Sequence, residues 1–112
     1  MPSNAEITAY AKKLPEIYRD IMAAFPKIEP RRKAGYGLAF QTLAMHFANT
    51  QMEYGLGDVR EACIKLADSG FIEIRHEIFA HPTDLGEQLI AVVANTPLAS
   101  SSSVPSLPAR TW

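Results

Sequence analysis

The chain has 112 residues, 47% of them hydrophobic, with a formal charge of −1 and an isoelectric point near 6.3. That length supplies one hydrophobic core and not two, and near-neutrality excludes the broad basic excess of a dedicated nucleic-acid binder, so any phosphate contact must come from a local patch. One cysteine excludes an intramolecular disulfide, no apolar run reaches the ~20 residues of a bilayer span, and no signal-peptide pattern opens the chain, so a soluble, cytoplasmic protein is expected.

The first predicted element opens on Ser3 and Glu6, a capping-box pair. Ile7, Tyr10, Ala11, Leu14, Tyr18, Ile21 and Phe25 then keep one helical phase across residues 5–25. Pro15 interrupts that phase, which leaves a kinked helix or two abutting helices with Pro15 in the first turn of the second. Pro26 and Pro30 are expected to end the segment. Lys27 and then Arg31, Arg32 and Lys33, opposed only by Glu29, form the most basic stretch. A short charge run beside a helix is usually a solvated edge; the functional alternative is a patch that holds phosphates.

A further helix is expected over residues 35–48, with Tyr36, Phe40, Leu43, Ala44 and Phe47 on one stripe. Its small residues Gly35, Gly37, Ala39 and Ala44 would let a neighbouring helix approach. Two placements of the following residues stay open: a short helix over 49–54 with a turn at 55–57, or a loop from 49 to 57.

Residues 57–90 carry the clearest signals. Asp58 reads as an N-cap with Glu61 three residues on, and Gly70 supplies a left-handed stop, which predicts a helix from Val59 to Ser69. Val59, Ala62, Cys63, Leu66 and Ala67 face inward on that helix, and Arg60, Glu61, Ile64, Lys65 and Asp68 face out. Cys63 on the inner stripe is expected to pack as a small hydrophobe. After Gly70 the period becomes two, and residues 71–80 read as a β-hairpin. Thr83 caps a last helix over 84–95, with Asp84 and Glu87 in its first turn and Leu85, Leu89, Val92 and Val93 on one face. The Ser- and Pro-rich residues 96–112 read as a disordered tail ending in Trp112.

Helix, glycine, hairpin and helix in this order resemble the winged helix-turn-helix superfamily. The run Leu66-Ala67-Asp68-Ser69-Gly70-Phe71-Ile72 and the return Pro82-Thr83-Asp84-Leu85-Gly86-Glu87-Gln88-Leu89-Ile90 are similar to MarR-like bacterial transcriptional regulators. The resemblance covers about a third of the chain firmly and about two thirds loosely. It implies a mostly α fold with a small β-hairpin (α+β), a winged helix-turn-helix with additional N-terminal and C-terminal helices. The corresponding divisions are an N-terminal extension and basic linker (1–34), a winged-helix domain with its C-terminal helix (35–95) and the tail (96–112).

The function implied is that of a non-catalytic DNA-binding regulator. Arg60 and Lys65 would reach into the major groove, Arg75 and His76 would meet the adjacent backbone or minor groove, and Arg31, Arg32 and Lys33 would contact phosphates. A homodimer is expected, because the helices at 5–25 and 84–95 would each leave an apolar face uncovered. Asp58, Glu61 and Asp68 on or near the outer face favour a different class, a winged-helix module that binds protein and never nucleic acid.

Catalytic and metal sites are not expected. His76 and His81 lie five apart, on opposite faces of a strand, and cannot share a metal in regular structure. His46 has no ligand partners at useful spacing and belongs on the flank of its helix. Gly35-Tyr36-Gly37 and Gly55-Leu56-Gly57 are each half of a dinucleotide fingerprint and follow no strand, so they read as turns or helix starts. Cys63 has no adjacent base, so neither an enzyme nor a cofactor is expected.

Overall fold

The computed structural model describes residues 3–50 and 54–93. Five helices and three short strands follow in the order α1 (Asn4–Lys13), α2 (Glu16–Ile28), β1 (Leu38–Ala39), α3 (Phe40–Asn49), α4 (Leu56–Asp68), β2 (Ile72–Arg75), β3 (Phe79–Pro82) and α5 (Asp84–Val93). The chain is thus mostly α with a small antiparallel sheet. The 96–112 tail, Trp112 and Asn95 lie outside the described residues.

Ser3 Oγ accepts from the Glu6 N–H while Glu6 accepts from the Ser3 N–H, both at 3.2 Å, so the expected capping box starts α1. Of the two options at Pro15, separate helices form: α1 closes at Leu14 and Pro15 stands as the N-cap of α2. Its fixed φ of −58° suits that position, and its missing N–H costs nothing where no helical acceptor exists. Pro26 does not end α2, contrary to expectation. The helix runs two residues beyond it to Ile28, because a proline in the last turn forfeits a single hydrogen bond that packing on the core offsets.

Ile7, Tyr10, Ala11, Leu14, Tyr18, Ile21 and Phe25, the anticipated stripe, are all buried. They share one core with Leu43 and Phe47 of α3, Val59, Ala62, Cys63 and Leu66 of α4, Phe71 before β2 and Leu89 of α5. α1 packs on α5, and α2 lies against α3, α4 and α5. The terminal helices therefore spend their apolar faces on each other and on α2.

The helix expected over 35–48 begins only at Phe40. Gly35 has φ +82° in a turn, and Leu38 and Ala39 form β1, pairing with Ala80 and Phe79 of β3. Gly37 admits the His81 ring rather than a helix: a Cβ there would stand 2.4 Å from the imidazole. Phe40, Leu43 and Phe47 are buried as expected, but Tyr36 is half exposed, because its helical spacing from Phe40 was coincidental. α3 ends at Asn49 with Thr50 as C-cap, and residues 54 and 55 are not helical; residues 51–53, on which the choice between a short helix over 49–54 and a loop from 49 to 57 falls, lie outside the described residues.

α4 starts three residues earlier than predicted. Asp58 is not its N-cap but its third residue, its carboxylate accepting from the N–H of the true cap, Gly55, at 3.2 Å. The helix stops as expected: Gly70 has φ +83°, its N–H donates to Ala67 O, and the Phe71 N–H donates to Leu66 O, both at 3.0 Å. These two bonds form a Schellman motif, with Leu66 and Phe71 making its hydrophobic contact in the core.

The hairpin forms in the register Ile72↔Pro82, Glu73↔His81, Ile74↔Ala80, Arg75↔Phe79 and completes a sheet of order β1-β3-β2. Pro82 is tolerated on the central strand because β1 pairs only with residues 79 and 80. Thr83 caps α5 by accepting from the Gly86 N–H at 3.1 Å, and its hydroxyl donates to Gly70 O at 2.6 Å, clamping the start of α5 to the end of α4.

Candidate recognition surface

The helical phase of α4 divides it into an inner face, where Val59, Ala62, Cys63 and Leu66 are fully buried, and an outer face that no described element covers. Burial pushes the Cys63 thiol up to about 12, so it is a packed, unreactive group at neutral pH. On the outer face Leu56, Arg60 and Ile64 succeed one another at four-residue intervals, with Leu56 51% and Ile64 44% exposed. Lys65 pairs with Glu61 at 3.5 Å, whereas Arg60 has no ion pair among the described residues. Asp58, Glu61 and Asp68 outnumber Arg60 and Lys65 by one.

At the hairpin tip, His76 and Glu77 have φ +54° and +64°, and the Ile78 N–H donates to Arg75 O at 3.3 Å. Two successive residues of this three-residue loop have left-handed φ, which Gly and Asn adopt more readily, so holding His and Glu there costs about 1–2 kcal/mol per residue. Such strain is concentrated at functional segments more than elsewhere. The turn thrusts out Ile78, 53% exposed, while the Ile78 carbonyl accepts from the first N–H of α3, Phe40, at 2.9 Å. Arg75 is exposed and pairs with Glu73 at 3.2 Å.

The basic linker belongs to the other end of the sheet. Arg32 directs both arms of its guanidinium at Glu87 of α5, at 2.9 and 2.5 Å, and stacks over the Phe25 ring. Glu87 also accepts from the Gly35 N–H at 2.8 Å, and His81 donates through Nδ1 to Gly35 O at 3.1 Å. Burial alone would raise the Glu87 carboxyl, but the Arg32 and Gly35 hydrogen bonds and the Arg32 charge together hold it below its ordinary value. Arg32 thus has a structural partner, while Arg31 and Lys33 beside it are exposed.

The seven basic candidates therefore fall into three groups. Arg60 and Lys65 share the α4 face, Arg75 and His76 occupy the hairpin tip, and Arg31, Arg32 and Lys33 lie in the linker that Arg32 ties to α5. Three residue steps of β3, roughly 10 Å, separate the row at Phe79 from the row at Pro82 next to α5. The sequence did not single out Leu56, enclosed between glycines, or the exposed Ile78. It also left unread Glu87 as the partner of Arg32 and the buried Arg19.

His46 is half-buried with its ring edge-on to Phe47 at 5.6 Å, and lines a shallow groove of about 300 Å³ with Ile28, Thr42, Met45 and Asn49. No group of three or more metal-ligating side chains occurs among the described residues. None of the described helices is long and apolar enough to cross a membrane.

No protein-family model, no curated protein and no solved structure matches the chain. The geometry carries the functional argument alone.

Proposed function

We propose that the chain is a winged-helix recognition module, with α3 and α4 as the helix-turn-helix pair, β2–β3 as the wing, and α1, α2 and α5 as the supporting helices. Supporting this is the topology: a strand before α3, the hairpin directly after α4, and the order β1-β3-β2 that sets the hairpin beside the outward helix. Duplex DNA is the ligand that arrangement best supports. Arg60 on α4 would meet base edges or phosphates, with Lys65 at its flank and Arg75 and His76 following the backbone from the wing. The role is that of a small, non-catalytic regulator.

The sparse free cations set the strength of such binding. With about three phosphates neutralised per protomer, log affinity falls with log salt at a slope near −2.7, or about 40-fold between 50 and 200 mM. Fluorescence anisotropy with a mixed-sequence duplex measures that slope; absence of binding at 50 mM salt would refute the DNA proposal.

A protein partner is the second proposal, favoured by one observation: Leu56, Ile64 and Ile78 are exposed on surfaces where acids outnumber bases. Aliphatic anchors within a balanced charge pattern suit a protein surface better than a phosphate backbone. The homodimer is a third matter. α1 and α5 cover each other's apolar faces, which withdraws the ground for expecting it, and sedimentation equilibrium measures it directly.

A further inference from the structure

Every residue of α2 from Ile17 to Phe25 is buried, including those on the side that its polar residues should leave to water. Arg19 lies there at 2% exposure, and its Nε, Nη1 and Nη2 are all sealed from solvent without a hydrogen-bond partner among the described residues. A lysine so placed could shed its proton; a guanidinium cannot, so the charge persists and requires a counter-ion. The adjacent carboxylate feels the Arg19 charge but makes no hydrogen bond to it; Asp20 Oδ2 accepts instead from the Tyr54 hydroxyl at 2.9 Å. Burial, and then the Glu16 charge, raise the Asp20 carboxyl against the lowering effects of Tyr54, Arg19 and Lys27.

We propose that Arg19 is the anchor of a binding site for a small monocarboxylate. The planar fork of the guanidinium matches a carboxylate through two parallel N–H···O bonds, and a buried setting strengthens both. Asp20 next to it and Glu16 one turn before it select against a second negative charge, so a phosphate dianion is the poorer occupant. Because the guanidinium is sealed, the ligand enters only as this side of α2 opens, and it closes the site behind it. Tyr54, tethered to Asp20, immediately precedes the N-cap of α4, so the site lies beside the entry to the outward helix. The proposal does not depend on what α4 recognises.

The test is thermal unfolding of the whole chain at pH 7 and constant ionic strength, with acetate or phosphate replacing chloride, for the native protein and Arg19→Met. Acetate is expected to raise the native melting temperature saturably, on the order of 5–10 °C at tenfold excess over its dissociation constant, with phosphate weaker. Arg19→Met, of similar volume and uncharged, should melt no lower than the native protein without acetate and should not respond to it. A native protein indifferent to acetate, or an equal response in both, overturns the proposal. So does an acetate-free Arg19→Met melting far below the native protein, because the guanidinium would then already be compensated within the chain. Isothermal titration of acetate into the native protein is a second measurement that needs no variant, with saturable heat expected and its absence the contrary result.

Discussion

Glu87 shows how one side chain can fix a segment far from it in sequence. Its carboxylate receives Arg32 on both oxygens and the Gly35 N–H on one, pinning the linker between α2 and β1 to the first turn of α5. Glu87→Gln keeps the shape and removes the charge, and is expected to cost about 1–2 kcal/mol at pH 7 in urea denaturation. The sign with pH follows from the lowered carboxyl. The folded protein holds this proton less tightly than the unfolded chain, so the stabilisation is complete above the unfolded value of about 4.3 and is lost as pH falls through the folded one. The gap between native and Glu87→Gln should therefore narrow progressively below about pH 5. Neither Arg32 nor Glu87 announces this pairing in sequence, where each reads as a local feature: one a basic run, the other a first-turn acid suited to the helix dipole.

Helix phases were readable wherever several apolar residues repeated, as in α1, α2 and the inner and outer faces of α4. Boundaries were not, because an aspartate near a helix start serves equally as cap or as third residue, and only the backbone of Gly55 decides between them. β1 escaped notice because two residues cannot display an alternation, and the spacing of Tyr36 from Phe40 imitated a helix. The two glycines within the first turns of α4 and α5 separate intrinsic propensity from packing. At Gly57 a Cβ meets nothing within 4 Å, so Gly57→Ala should stabilise by about 0.5–1 kcal/mol. At Gly86 a Cβ would lie 1.9 Å from the Phe71 carbonyl oxygen, a backbone atom, so Gly86→Ala should destabilise by more than about 2 kcal/mol despite the better helix former. Denaturant midpoints of the two variants moving in the same direction would contradict this account of α5 docking. At the hairpin tip, His76→Asn with Glu77→Gly supplies the residues that left-handed φ favours and should raise stability by about 1–2 kcal/mol. An unchanged melting temperature there would mean that the turn stores no strain.

Across the molecule, the terminal helices and α2 build one core with the sheet and leave α4 outward at the edge of the hairpin. The outer face of α4 could be read from its helical period, and the tip from the period-two runs on either side of His76 and Glu77. The distance between them and Arg31, Arg32 and Lys33 could not, because it follows from which end of β3 the linker joins. The most direct test is a two-dimensional amide NMR titration with a mixed-sequence DNA duplex at 50 mM salt. Perturbations are expected on the outward residues of α4 around Arg60 and at residues 75–78, and should fade as salt rises. Shifts confined to residues 31–33 and the helices α1 and α5, or no shifts at all, would contradict α4 and the hairpin as the DNA-recognising surface.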